Sequence, residues 1–380
     1  MLDIEVLRLV WWLLLGVLFM GFAVMDGFDF GVAMLLPVVA KNETERRIVL
    51  NTIGPFWEGN QVWIILGAGA IFAAWPSVYA VAFSSLYLLI LLLLLFMGIS
   101  RPVSFKYRSK LPYLFWRRFW DHIVFVGGFF PAIIFGILIG NVLTGIPFYF
   151  DETLRIHYSG SFFDLFHFFA IFCGITSVMM LVMHGGLYLA IKTEEPIRSR
   201  AISYSRWAAF FLVILFALGG LWVSNKLMGY SLASEVDPFG ASNPLHKNVV
   251  SEVGAWIVNY SRYPLSLSAP LLGFLGALLA LLTARLGQGC FAFFCSSLSI
   301  IGIISTVGVS MFPFILPSST HLTSSLLVWD ASSSALTLLL MLFAVIVFMP
   351  IILLYTAWVY RALRGKVNNK TVEKEAHKVY

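Results

Sequence analysis

Apolar runs of about twenty residues recur along this chain, and they decide what it can fold into. A run of that length crosses a hydrocarbon core of about 30 Å as a helix. Only helices and closed barrels satisfy their own backbone in that setting. Nine such runs are read, over 6–36, 57–75, 78–100, 120–142, 161–191, 205–225, 263–285, 290–313 and 331–360. Several exceed the minimum length and can tilt or project beyond the lipid. Pro76-Ser77 leaves a very short turn between the second and third. Composition agrees: 60% of residues are hydrophobic, 12% are charged and the mean hydropathy is +0.89, whereas globular domains are about 25% charged. The expected fold is an all-α integral membrane protein with nine transmembrane helices.

The cations orient those helices. With the N-terminus outside, the inward segments carry Lys41, Arg46 and Arg47, then Arg101, Lys106, Arg108, Lys110, Arg117 and Arg118. Lys192, Arg198, Arg200 and Arg206 follow, then Arg285, then Arg361, Arg364, Lys366, Lys370, Lys374 and Lys378. Of the 25 Lys and Arg residues, that leaves only Arg8, Arg155, Lys226, Lys247 and Arg262 outside. This is the positive-inside asymmetry, and one span more or fewer would scramble it. The C-terminus is therefore expected in the cytoplasm. A net charge of +6 distributed in this way calls for no nucleic-acid partner.

Asp3 and Glu5 precede the first apolar run, where a cleaved signal would carry Lys or Arg, and no Ala-x-Ala site follows. The expected organisation is a polytopic membrane domain over 1–364 and a polar cytoplasmic tail over 365–380. The longest loop, 226–262, faces outward with Pro238, Gly240, Asn243 and Pro244 as turn formers. Cys173, Cys290 and Cys295 lie in apolar segments without a Cys-x-x-Cys pair. They read as buried small hydrophobes rather than disulfides or thiolate ligands.

Asp26 and Asp29 break the apolar pattern of the first run. A charged side chain at a helix centre costs about 2.5–3.5 kcal/mol on insertion scales, so it persists where it faces protein or water. Their (i, i+3) spacing puts both on one helix face, near the cytoplasmic end of the span. Gly27 and Gly31 make a small-xxx-small pair beside them, which admits a close neighbour. Span two opens with Trp57-Glu-Gly-Asn-Gln-Val-Trp63, so Glu58 is expected at the same depth. Three carboxylates gathered there would bind and release protons near neutral pH, with Asn60 and Gln61 holding bridging water. The duller readings are a helix tie for the aspartates and a dipole-favoured N-terminal acid for Glu58.

Trp63 lies about 8 Å deeper than Glu58, where an interfacial belt anchor is the common role. The histidines offer no paired axial ligands: His167 and His184 share a span but sit about 25 Å apart. A single site between His122 and His184 stays open. His122 beside Asp121 reads as a helix-end closure, and His157, His246 and His321 as solvated loop residues. Arg101-Pro-Val-Ser-Phe-Lys-Tyr-Arg108 reads as a topology signal touching headgroups, and Asp330-Ala-Ser-Ser-Ser as an N-cap for the last span. No Walker A loop, dinucleotide fingerprint, zinc spacing or nucleophile elbow is present in a suitable context. By itself the chain reads as a membrane protein with an acidic, cytoplasm-facing proton or cation route.

Five ordered motifs carry a resemblance. Gly27-Phe-Asp-Phe-Gly31, Trp57-Glu-Gly-Asn-Gln-Val-Trp63, Arg101-Pro-Val-Ser-Phe-Lys-Tyr-Arg108, Met311-Phe-Pro-Phe-Ile-Leu-Pro-Ser-Ser319 and Val328-Trp-Asp-Ala-Ser-Ser333 resemble subunit II of cytochrome bd ubiquinol oxidases. The likeness runs from Met1 through the tail. It implies a multi-pass subunit of a bacterial cytoplasmic-membrane terminal oxidase that oxidises quinol at the outer face and reduces oxygen to water. It further implies two four-helix bundles plus one peripheral helix. Haem b and haem d would sit on a partner, subunit I, with none ligated by this chain. Small single-helix accessory subunits, lipid and a bound structural quinone are further expected partners. By position, Asp26, Asp29 and Glu58 match the family's cytoplasmic proton route towards haem d, and Trp63 the tryptophan of an oxygen route. Members of this kind carry Asp where this chain has Glu58, one methylene longer. They often have His after the proline, where this chain has Phe56 after Pro55.

Two other readings stand beside this one. A proton-coupled transporter would place a substrate near the midplane with broken helices, and Gly67, Gly69 and Pro131 are the candidate breaks. A purely structural partner of subunit I would use its acids as helix ties.

Overall fold

The computed structural model describes residues 3–368. Residues 369–380, with most of the expected tail and its Lys370, Lys374 and Lys378, lie outside the described residues. Helices dominate: α1 (Ile4–Met25), α2 (Gly27–Val39), α3 (Glu43–Ile53), α4 (Trp57–Ala74), α5 (Pro76–Ser85), α6 (Tyr87–Leu93), α7 (Arg101–Tyr107) and α8 (Leu114–Thr144) form the first half. A π-helical segment, Leu94–Ser100, joins α6 to α7. The second half holds α9 (Phe168–Lys192), α10 (Ile197–Asn225), α11 (Val258–Arg262), α12 (Ser268–Arg285), α13 (Gly289–Met311) and α14 (Ala335–Ala362).

Eight segments among the described residues are long and apolar enough to cross a membrane, or nine where the bent pair α4–α5 is counted as one broken span rather than a re-entrant turn. That pair bends by 118° at Trp75-Pro76, because the proline cannot continue the preceding helix but suits a first helical turn. Eight or nine crossings thus lie along the nine apolar runs, with shifted ends. α1 and α2 together make one 36-residue rod, interrupted at Asp26. Gly67, Gly69 and Pro131 do not break anything: α4 and α8 run continuously through them.

The class is not purely helical. Three antiparallel pairs close loops: β1 (Phe148–Phe150) with β2 (Ile156–Tyr158), β3 (Met228–Leu232) with β4 (Val249–Val253), and β5 (Phe314–Leu316) with β6 (Leu326–Leu327). The 226–262 loop also carries the second hairpin and α11, with the expected turn formers Pro238, Gly240, Asn243 and Pro244 lying between the two strands. Its strands are only five residues each, too short for an alternation to stand out beside apolar spans.

α2 and α9 cross at Gly31 and Gly185. An added Cβ at Gly31 would collide with the Leu181 carbonyl oxygen, and one at Gly185 with the Gly31 backbone. This is the close approach that the small-xxx-small pattern predicts. α14 contributes only Leu338 to the buried residues, so its apolar faces stay on the periphery of this chain.

One end of the molecule is closed by polar clamps. Arg8 is fully buried. Its Nε donates to Ser332 Oγ at 2.7 Å, Nη1 to the Pro238 carbonyl at 2.5 Å and Nη2 to the Gly240 carbonyl at 3.0 Å. Lys247 Nζ donates to Asp330 Oδ2 at 2.6 Å, and Asp330 Oδ1 accepts from the Leu327 N–H. Burial pushes the Lys247 ammonium's pKa down and the Asp330 carboxyl's up, each partly countered by its partner. Asp330 is thus committed to the Lys247 clamp, and the last serine of Asp330-Ala-Ser-Ser-Ser takes the expected capping role. Ser334 caps α14 by accepting from the Thr337 N–H.

Candidate functional site

At the opposite end, Asp26 and Asp29 are both fully buried. Asp26 sits at the α1–α2 interruption, its N–H still bonded to the Phe22 carbonyl at 2.8 Å. Burying a lone carboxylate is prohibitive, so each must be paired or neutralised. Arg101 Nη2 lies 2.9 Å from Asp26 Oδ1 and 3.0 Å from Oδ2. Asp29 Oδ2 accepts from Asn60 Nδ2 at 2.8 Å.

Arg101 reaches Asp26 because of the π-helical segment before it. The wider turn rephases the chain relative to α6, and Gln61 Nε2 donates to the Met97 carbonyl inside that segment at 2.9 Å. The guanidinium also lies 4.5 Å from the centre of the Phe30 ring, a cation–π contact strengthened by desolvation. Arg101 was expected to be a topology signal at the headgroups. It is instead fully buried and the counter-ion of the acids. Its Nε and Nη1, with Asp29 Oδ1, have no hydrogen-bond partner among the described residues. The pair thus keeps free donor and acceptor capacity inside a buried site.

Asn60 extends the site. Its Oδ1 accepts from the Tyr360 hydroxyl at 2.8 Å, so a polar chain runs from Tyr360 through Asn60 to Asp29. Tyr360 stacks on Phe56 with ring centres 4.6 Å apart.

Glu58 does not join the aspartates. Its side chain is 61% exposed in this chain, and its Oε1 lies 3.7 Å from Lys106 Nζ. Two positions along an α-helix are about 200° apart, so Glu58 and Asn60 cannot both face Asp29. The gathering of three carboxylates is therefore two buried acids with an arginine and an amide, and a third acid at the surface. Glu58 opens α4 only a turn from the buried group.

Trp63 follows Asn60 by three residues and shares its face. It is buried, not an interfacial belt residue, and its ring fills the space left by Gly21, where a Cβ would collide with it. Leu18, Phe22 and Ala70 belong to the same apolar cluster.

The histidines separate. His184 is buried, with Nδ1 2.7 Å from Ser296 Oγ and Nε2 3.0 Å from the Val24 carbonyl. His122 is exposed, with Nδ1 2.6 Å from the Arg118 carbonyl. Both ring nitrogens of His184 are engaged, so the shared site left open for the two is not formed. Asp121, rather than closing a helix end with His122, accepts from Arg108 Nε at 2.5 Å and lies 3.4 Å from Arg46 Nη1. Arg108 Nη2 also lies 2.9 Å from Glu43 Oε1. Cys295 is buried as expected, whereas Cys290 is exposed. Arg101 and Tyr360 are the site residues that sequence reasoning missed. The only trace of the first was an arginine directly after an apolar run.

Comparison with known proteins agrees with this architecture. A profile described as cytochrome bd terminal oxidase subunit II matches residues 7–363. The chain is 47% identical over 380 residues to cytochrome bd-I ubiquinol oxidase subunit 2 of Escherichia coli, covering 100% of both chains. It is 30% identical over 362 residues to cytochrome bd ubiquinol oxidase subunit 2 of Bacillus subtilis, covering 95% of this chain and 97% of the relative. In fold it is similar to a chain of the bd oxidase from Geobacillus thermodenitrificans, with a TM-score of 0.66 at 14% identity over 94% of this chain and 98% of that one.

Proposed function

This chain belongs to the cytochrome bd terminal oxidase subunit II family, and on that premise we propose that it gives protons a buried way in from the cytoplasm. Its homologues are subunits of a quinol:oxygen oxidoreductase, and membership implies a subunit I partner. In this reading haem b and haem d belong on that partner, since the buried His184 has both ring nitrogens engaged by Ser296 and the Val24 carbonyl. When bound there, the haems supply the oxygen chemistry. The residues of this chain handle protons.

The observation that carries the reading is the pair of fully buried carboxylates held by one arginine and one amide. One cation near two acids neutralises one charge, so the pair has room for one exchangeable proton. Glu58, exposed at the start of α4 beside Lys106, collects protons at the entrance. They pass to Asp29 and then Asp26. The cation pattern supports an orientation with this end of the molecule in the cytoplasm and the N-terminus outside. The membrane is then the bacterial inner membrane, and α14 is the peripheral helix beside two four-helix bundles. A single-helix accessory subunit, lipid or a structural quinone would meet such an exposed apolar face.

Trp63 in its apolar cluster with Leu18, Phe22 and Ala70 is the proposed oxygen route. Oxygen is an apolar solute and partitions into such a path. A second reading, in which the acids only tie helices together, draws on the direct Arg101–Asp26 ion pair.

The deciding experiment measures quinol-driven oxygen consumption and proton uptake in the assembled oxidase. Glu58→Gln and an Asp26→Asn, Asp29→Asn double variant are compared with the native complex. The route predicts slowed uptake, at least tenfold for the double variant, with the haem spectra retained. Native rates in both variants would leave only the tie.

A further inference from the structure

The last helix delivers one side chain into the acid site, and the proton-route reading assigns it no part. Tyr360 donates its hydroxyl hydrogen to Asn60 Oδ1 at 2.8 Å, and Asn60 Nδ2 donates to Asp29 Oδ2 at 2.8 Å. The tyrosine ring is fixed by stacking on Phe56 at 4.6 Å and by an edge contact with Phe28 at 6.4 Å. The chain end beyond it is fastened to α9. Lys192 Nζ donates to the Leu363 carbonyl at 2.5 Å, and the Val367 N–H donates to the Lys192 carbonyl at 2.8 Å.

We propose that Tyr360 is a positioning residue for Asp29, fixing which side of the Asn60 amide faces the carboxylate. An asparagine amide has an accepting side and a donating side. With its oxygen taken by the tyrosine hydroxyl, only its NH2 group can face Asp29, and that group suits an ionised carboxylate. A neutral carboxyl has a hydrogen to donate and calls for the amide oxygen instead. Supplying it means turning the amide over and taking the acceptor from the Tyr360 hydroxyl. Tyr360 therefore biases Asp29 towards release of its proton while itself moving none. The other charged and titratable groups around Asp29 are Asp26 and Arg101 from the same site and Tyr188 from α9. The Tyr188 hydroxyl is committed to the Thr52 carbonyl at 2.9 Å, and His184, also on α9, to Val24 and Ser296. Neither reaches the Asn60 amide through these bonds.

The inference rests on Asp29 handling protons, so its test separates the two ideas. In the assembled oxidase, Tyr360→Phe removes the hydroxyl and keeps the stacked ring. Placing 3-fluorotyrosine at 360 keeps the shape and makes the hydroxyl a stronger donor. Two readouts are taken: the pH profile of oxygen consumption, and the redox-difference infrared signal of the carboxyl that disappears in Asp29→Asn. The phenylalanine variant is expected to displace the profile to alkaline pH by roughly half a unit, the scale of one neutral hydrogen bond. Fluorotyrosine is expected to displace it to acid pH, and the carboxyl signal to move in both. An unmoved profile and signal overturn the positioning role. So does a uniform loss of turnover at every pH with an unmoved signal, which marks a merely structural contact. Full turnover in Asp29→Asn overturns the proton route instead, and the profile and carboxyl signal still decide whether Tyr360 positions Asp29.

Discussion

Arg101 and Asp26 form an ion pair in which both side chains are completely buried, with Nη2 2.9 Å from Oδ1. Removing one member of such a pair strands the other as an uncompensated buried charge, at a typical cost of about 3–5 kcal/mol. Arg101→Met is therefore expected to impair assembly more than an Arg101→Met, Asp26→Asn double variant does. Thermal melts of the purified complex check this. A double variant no more stable than the worse single one would mean that the two side chains act independently.

Gln61 tests how Arg101 is aimed. Its amide satisfies the Met97 carbonyl inside the π-helical segment. Gln61→Leu leaves that carbonyl without its donor, at about 1–3 kcal/mol for a buried acceptor. It also favours relaxation of Leu94–Ser100 towards ordinary α-helix, which turns Arg101 away from Asp26. Slowed oxygen consumption with intact haem content is the expected result. A variant of native stability and native turnover would show that the π-helical phase is held by packing alone.

The spans were legible because lipid imposes a length and a composition that nothing else in the sequence imitates. Asp26 and Asp29 were legible for the same reason, as charges that an apolar run would otherwise exclude. Arg101 was not, since an arginine after an apolar run looks the same whether it meets headgroups or turns inward. Its direction depends on the π-helical segment, which has no signature in Leu-Leu-Phe-Met-Gly-Ile-Ser. Glu58 was misplaced through helix phase: depth can be counted from a sequence, but the face needs the neighbour. The buried stripe of α4, Asn60, Trp63, Gly67, Ala70 and Ala74, shows a regular spacing that leaves Glu58 off the buried face. Tyr360 lies 300 residues from Asn60 in sequence, and no local pattern joins them.

Lys247 and Asp330 clamp the 226–262 hairpin to the segment before α14 at 2.6 Å. Burial works against both charges, so the pair earns little beyond its specificity. Asp330→Asn alone is expected to destabilise by about 3 kcal/mol or more, because Lys247 is left buried and unpaired. A Lys247→Met, Asp330→Leu double variant is expected to recover most of that loss. Proteolysis of the hairpin reports it. A double variant as protease-sensitive as Asp330→Asn would contradict the account.

Glu45 supplies the pH dependence. Arg200 grips it with Nη1 to Oε2 and Nη2 to Oε1, both at 2.9 Å, and the Lys41 N–H donates to Oε2 at 2.7 Å. Arg200 also donates to the Val39 carbonyl, so the grip fastens the end of α2 and the start of α3 to α10. These hydrogen bonds, that from Arg200 foremost, hold the Glu45 carboxyl below its usual value. A depressed acid contributes stability that is complete above its unfolded value and is lost as pH falls through the folded one. Glu45→Gln should therefore be less stable than the native complex by an amount that is constant from pH 8 to about pH 5.5. That gap should shrink only as pH drops past the ordinary glutamate value of about 4.3. About 1–2 kcal/mol is expected for a largely shielded bidentate pair. Melts of both complexes across that range measure the gap. A gap that closes near neutral pH would place the titrating group elsewhere.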